Sequence, residues 1–108
     1  MSASARFAVS LRRAGRPMVL KRRVGTTNTF TACTICGKDR EYRPTELVGG
    51  VVQGDRRIRI AQADIEAEGW PGPPKAGTTD FLDGGAVKGV QPLHDGAELV
   101  GFVLWVRG

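Results

Sequence analysis

The chain has 108 residues, enough for one domain with a single modest core and too few for two. Hydrophobic residues make up 41% of it, which argues against wholesale disorder, and no apolar run is long enough to cross a membrane. Fifteen glycines and six prolines favour short strands and tight turns over long helices.

Charge is divided unevenly along the chain. The residues up to Lys38 include eight basic side chains and no acidic one, whereas those from Asp39 onward include eight basic and eleven acidic ones, so the two parts carry +8 and −3 of the net +5. A purely basic segment indicates an anionic partner such as nucleic acid, a membrane surface or an acidic protein face, with a solvated surface as the alternative. The candidate partner or DNA contacts are Arg12, Arg13, Arg16, Lys21, Arg22 and Arg23.

Residues 3–14 predict a short amphipathic helix. Phe7 and Leu11 fall on one stripe of such a helix, and Gly15 and Pro17 are typical of residues that end one. Because the helix is short and its apolar stripe is thin, it needs a surface to dock on, either its own sheet or a neighbouring subunit.

The remainder of the chain predicts strands. Six or seven short strands indicate a mainly β protein, a small β-barrel or sandwich with one short N-terminal helix. We expect one domain, residues 1–108, in which residues 1–16 form a helical arm and residues 17–108 form the barrel. The predicted strands cover residues 18–24, 29–35, 45–53, 57–61, 79–82, 86–90 and 98–107.

Turn residues divide these strands. Gly54-Asp55 predicts a tight hairpin between strands 45–53 and 57–61, and Asp83-Gly84-Gly85 predicts a second hairpin. Residues 62–68 predict one helical turn. The last strand is apolar on both faces, which is typical of a central strand or of one covered by a partner.

Cys33 and Cys36 form a Cys-x-x-Cys motif that resembles half of a zinc ribbon. Tetrahedral zinc needs four ligands, and the sequence has no second cysteine pair. A redox role would place the motif at the start of a helix, whereas its flanks predict a strand, on which side chains three residues apart point to opposite faces. We expect two unconnected cysteines and no bound metal; metal binding and redox chemistry stay open as alternatives.

No constellation for catalysis or cofactor binding emerges from the sequence. His94 lies beside Asp95 in a predicted surface turn, without a nucleophile motif elsewhere. Asp64, Glu66 and Glu68 lack the calcium-loop pattern and predict a solvated turn. We therefore expect a protein that is not an enzyme and carries no cofactor.

A series of short motifs runs in order along the chain. It begins with the basic helix and ends with an apolar strand, with a proline-rich stretch between them. The motifs are Gly15-Arg16-Pro17, Val19-Leu20-Lys21-Arg22, Val52 to Ile60, Asp83-Gly84, Val90-Gln91-Pro92-Leu93 and Val106-Arg107-Gly108. Their order resembles that of the small head-completion, or neck, proteins of long-tailed bacteriophages and prophages, in which a Gln-Gly-Asp-Arg-Arg hairpin recurs.

The resemblance implies a structural virion protein. Such proteins are small β-barrels that form a ring beneath the portal, close the DNA-filled head and join it to the tail. It implies a homo-oligomeric ring, twelve-fold, or six-fold for the similar tail-terminator proteins. Its partners would be the portal or adaptor protein and tail proteins, with non-specific contact to channel DNA and no membrane. Assembly would take place in the host cytoplasm. A small basic β-barrel that binds nucleic acid is the alternative from another class.

Overall fold

The computed structural model describes residues 2–24, 29–41, 54–70, 72–77 and 79–108, with the side chains of residues 40 and 41 excepted. Two helices and six strands follow one another along these residues. They are α1 (Ala3–Ala14), β1 (Arg16–Arg23), β2 (Phe30–Glu41), β3 (Arg56–Ala61), α2 (Gln62–Ala67), β4 (Asp80–Leu82), β5 (Gly85–Asp95) and β6 (Glu98–Arg107).

The strands close into a barrel in the order β1-β2-β3-β6-β5-β4, and every neighbouring pair is antiparallel. The mainly β prediction with one N-terminal helix is therefore confirmed, and the architecture is a barrel rather than a sandwich. β6 lies between β3 and β5, as its two apolar faces predicted. The inward residues form one core: Met18, Leu20, Ile35, Ile58, Ile60, Ile65, Trp70, Leu82, Val87, Phe102, Leu104 and Val106.

α1 docks on its own barrel, the first of the two predicted alternatives. Ser2 caps the helix by accepting a hydrogen bond from the backbone N–H of Ala5, and Leu11 is buried. The ring of Phe7 lies over Gly101 of β6, where an added Cβ would come within 2.7 Å of a ring carbon. The helix contacts β2, β3 and β6, and its Ala8 and Leu11 pack with Ala61 of β3, so the described part of the predicted arm, residues 2–16, belongs to the folded unit.

Several strand boundaries predicted from the sequence are wrong. β2 continues six residues beyond the predicted end at Ile35, because its second half pairs with β3. β5 continues to Asp95, so His94 lies in a strand opposite Leu99 and not in a turn. Because β5 pairs with β6 along the whole hairpin, the strand continues beyond residue 90, its predicted end.

The two predicted hairpins have different outcomes. Asp83 and Gly84 join β4 to β5 with positive φ angles of 52° and 82°, which is the backbone of a tight hairpin turn. The partner arm predicted for β3, residues 45–53, lies outside the described residues. Along Arg56–Ile60, β3 pairs with β2 on one edge and with β6 on the other.

An ion-pair cluster lies at one end of the barrel. The carboxylate of Asp83 accepts hydrogen bonds from Arg16 at 2.6 Å and from Arg56 at 2.7 Å. Asp39 accepts one from Arg16 at 3.1 Å, and Arg56 also donates to the carbonyl oxygen of Gly108. The cluster thus ties β1, β2, β3, the β4–β5 turn and the chain end together. The bond from Arg16 is the main cause that lowers the pKa of Asp83 to about 2.

A second acidic side chain, Asp55, is buried beside this cluster and is only 1% exposed. It accepts a hydrogen bond from the indole N–H of Trp105 at 2.6 Å and two from Arg107, each at 3.0 Å. The hydrogen bond to Asp55 raises the pKa of Arg107. The chain entering β3 is thereby fixed to the end of β6.

α2 and Trp70 fill the opposite end of the barrel. Ile65 of α2 and the Trp70 ring both belong to the core. The prediction of one helical turn over residues 62–68 is confirmed by α2.

We predict that Asp55→Asn destabilises the protein. The amide that replaces one carboxylate oxygen turns a donor toward groups that themselves donate, and leaving a buried group without its hydrogen-bond partner costs about 1–3 kcal/mol of unfolding free energy. Urea denaturation measures this cost. Asp95→Asn, on an exposed position of the β5–β6 hairpin, is the matched control and should be neutral. Equal stability of the two variants would contradict the structural role of Asp55.

We predict that Asp83 contributes to acid stability. Its folded pKa of about 2 lies below the ordinary value of 3.8, so the folded state binds fewer protons than the unfolded state between these values. Its contribution is full above pH 4 and is lost as the pH falls toward about 2. Asp83→Asn should remove this part of the pH dependence in denaturation midpoints, and asparagine tolerates the positive φ. An unchanged acid profile would contradict the prediction.

Candidate interaction surfaces

The six cationic residues predicted as partner or DNA contacts do not form one surface. Arg12 pairs with Asp64 at 3.3 Å across the α1–α2 contact, and Arg16 belongs to the ion-pair cluster at the barrel end. Arg13 is exposed on α1. Acids from the later half of the chain therefore neutralise part of the basic segment, a long-range pairing that the sequence does not reveal.

Arg22 stabilises the fold through contacts within the chain. Its guanidinium donates two hydrogen bonds to the buried carboxylate of Asp80, at 2.8 and 2.9 Å, and one to the carbonyl oxygen of Pro73 at 2.9 Å. It also lies 5.1 Å from the centre of the Trp70 ring. The Asp80 hydrogen bonds raise the pKa of Arg22. These contacts hold β1, β4 and the loop after α2 together.

Lys21 and Arg23 lie on the outer face of β1, around an aromatic pair. The Lys21 ammonium is 5.4 Å and the Arg23 guanidinium 5.7 Å from the centre of the Phe30 ring. Phe81 packs edge-on against Phe30 with ring centres 6.0 Å apart. We call this surface the Phe30 face; it consists of Val19, Lys21, Arg23, Val24, Phe30 and Phe81.

The Phe30 face is unusually apolar for an exposed surface. Val19, Val24 and Phe30 are 44%, 48% and 38% exposed, and they are the large exposed hydrophobic residues in the described part of the chain. The sequence missed this surface because Phe81 is about sixty residues from Lys21 and reaches it only through the β1–β4 pairing. Exposed apolar residues grouped with cations are typical of an interaction site.

A second cationic surface lies on the outer face of β2 and β3. Lys38 stands directly opposite Arg59, and the backbone of Arg40 stands opposite that of Arg57. We call Lys38, Arg57 and Arg59 the β2–β3 basic face. Arg57 and Arg59 alternate along β3 with the buried Ile58 and Ile60, so their side chains point outward. Like charges directly opposite each other destabilise a sheet, so this arrangement is notable.

An apolar cleft of about 580 Å³ opens between α2, the loop that follows it, and strands β5 and β6. Ile65, Trp70, Val90, Leu99 and Phe102 form much of its wall. We call it the Trp70 cleft. Its volume lies within the range typical of binding sites, about 300–1,000 Å³.

Two polar atoms in the wall of the Trp70 cleft are buried without a hydrogen-bond partner among the described residues. They are the carbonyl oxygen Oε1 of Gln62 and the indole Nε1 of Trp70. The charged side chain of the wall is Glu66, which is exposed. A ligand of this cleft would be largely apolar and would offer both a hydrogen-bond donor and an acceptor.

Cys33 and Cys36 lie on opposite faces of β2, as the strand geometry predicted. Cys33 packs against the core, and burial, together with the negative charge of Glu68, raises the pKa of its thiol. Cys36 lies in the wall of a shallow pocket with Arg12 and Asp64. No cluster of three or more metal-ligating side chains occurs among the described residues.

The predicted solvated acids of residues 64–68 are only partly solvated. Glu66 and Glu68 are exposed, but the side chain of Asp64 is 12% exposed, because α1 packs on α2 and brings Arg12 to it. His94 is exposed on β5. His94 and Asp95 thus both lie at the surface, at the end of the β5–β6 hairpin.

In the described part of the chain, no helix has the length and apolar character needed to cross a membrane. Comparison with known proteins gives no similar family, as no protein-family model, curated protein or solved structure matches the chain.

Proposed function

We propose that this chain is a structural subunit of the neck of a tailed bacteriophage, and that copies of it form a ring that joins the portal side of the DNA-filled head to the tail. The proposal extends the resemblance of the short motifs. In this role the protein is not an enzyme and carries no cofactor. A tail-terminator ring is the close alternative within the same class.

One observation carries the proposal: four of the resembling motifs meet at one end of the barrel. Gly15-Arg16-Pro17 supplies Arg16, the hairpin motif supplies Asp55 and Arg56, the β4–β5 turn supplies Asp83, and the chain end supplies Arg107. Residues far apart in sequence thus form two adjoining ion-pair groups. This favours a common fold as the origin of the resemblance over a chance succession of short motifs.

We predict that a phage in which the gene for this chain is inactivated makes filled heads and tails that do not join. The ring is the proposed link between head and tail, so its loss should stop assembly at that step. Negative-stain electron microscopy of the lysate detects the unjoined parts, and supplying the chain in trans should restore complete virions.

The same images separate the alternatives. Tails of abnormal length beside normal heads would favour the tail-terminator ring. Complete infectious virions in the absence of the chain would contradict a neck function altogether.

The β2–β3 basic face favours a second candidate function, contact with the nucleic-acid backbone. Lys38 stands opposite Arg59 on the outer face of the sheet, and cations grouped on one surface favour contact with a polyanion. In a neck ring the polyanion would be channel DNA; in the alternative class, a nucleic-acid-binding module, it would be a free oligonucleotide.

We predict that Arg59→Gln weakens DNA binding without a loss of stability. Removing one phosphate contact should reduce the slope of log affinity against log salt by about 0.9, while the relief of repulsion leaves stability equal or slightly higher. Fluorescence anisotropy with a duplex at several salt concentrations measures the slope. Lys75→Gln, on the exposed loop after α2, is the control. The same slope in wild type and Arg59→Gln would remove the β2–β3 basic face from DNA contact.

A further inference from the structure

The Phe30 face and the Trp70 cleft are complementary in chemistry. The first is an exposed apolar surface around Phe30, which is 38% exposed, and the second is an apolar cleft of about 580 Å³. We propose that the Phe30 face of one copy docks into the Trp70 cleft of the next copy, head to tail. This inference rests on the proposed ring, for which it names the contact surfaces.

Position around the barrel supports a head-to-tail contact. The Phe30 face lies on the outer surface of β1, β2 and β4, whereas the Trp70 cleft lies at the end of the barrel, between α2 and strands β5 and β6. The two surfaces are built from different residues. A contact between two different surfaces that repeats from copy to copy runs head to tail and generates a ring or a filament.

Charge supports the same pairing. Lys21 and Arg23 border the Phe30 ring, whereas Glu66 is the charged residue in the wall of the cleft. Docking brings these opposite charges to the edge of an apolar contact, where charge complementarity fixes orientation and excludes wrong pairings. The opposite arrangement, in which two Phe30 faces meet, would place Lys21 and Arg23 against their own copies.

The unpaired polar atoms of the cleft have counterparts on the Phe30 face. The Lys21 ammonium can donate a hydrogen bond to Gln62 Oε1. The indole N–H of Trp70 can donate one to a backbone carbonyl at the edge of β1 or β2. A protein surface with both kinds of group satisfies the cleft, and an entirely apolar ligand does not. The occupant we assign to the cleft is therefore a second copy of this chain.

Charge reversal in the full-length chain tests the contact. Arg23→Glu and Glu66→Lys each place like charges at the interface, so each should raise the dissociation constant of self-association about tenfold or more. Sedimentation velocity from micromolar to millimolar protein measures it. An equimolar mixture of the two variants should recover wild-type association, because each reversed group then meets an opposite charge.

Two further variants complete the design. Lys88→Glu reverses an exposed charge on β5, outside the residues of both surfaces, and should leave association unchanged. Phe30→Ser removes the apolar centre of the contact and should weaken association tenfold to a hundredfold. The substituted positions are all exposed, so each variant should fold, and circular dichroism checks that it does.

Two results would overturn the inference: a wild-type chain that stays monomeric up to millimolar concentration, or single variants whose mixture associates no better than either alone. Oligonucleotide binding that is lost in Arg23→Glu, without any self-association, would assign the Phe30 face to nucleic acid instead. This test is independent of the test of the neck proposal. If the mixture of the two variants recovers association, and the phage whose gene for this chain is inactivated still makes intact virions, the interface is retained and the neck function is rejected.

Discussion

The pairing of β1 with β4 is the constraint on which the rest of the structure depends, because it closes the barrel. It is short: three residue pairs, among them Leu20 with Leu82 and Arg22 with Asp80. A buried carboxylate such as that of Asp80 is costly unless it is fully hydrogen-bonded, and here Arg22 and the backbone N–H of Lys75 provide the bonds. Without this ion pair, the closing strand would leave a charge in the core.

Closure also decides how the protein can meet partners. Closure pairs most strand edges inside the barrel, and an unpaired edge is where a partner could add a strand. Among the described residues such an edge remains along the first half of β2, because residues 37–41 pair with β3 whereas residues 30–36 pair with β1 alone. Other contacts use the outer faces of the strands or the ends of the barrel. The Phe30 face is of the first kind, and the Trp70 cleft is of the second. The ion-pair cluster around Asp83 occupies the other end, where charged side chains from several strands meet.

Local pattern was enough to predict the helix, the β4–β5 hairpin and the central position of β6, because each depends on residues close in sequence. The length of β2 and of β5 was not predictable, since strand ends are set by partners far along the chain. The same limit applies to the surfaces. Phe81 reaches Phe30 only through barrel closure, and the Trp70 cleft is assembled from four separate segments.

Charge asymmetry in the sequence indicated a large basic surface, and the structure divides that charge into two parts with different uses. Arg16 and Arg22 pair with acids of the later half, so part of the basic charge is neutralised within the fold. The Phe30 ring lies between Lys21 and Arg23, so each of these cations contacts an apolar neighbour. A surface of this kind suits a partner that is apolar at its centre and acidic at its rim. The Trp70 cleft with Glu66 has that composition, whereas a phosphate backbone would match only the cations.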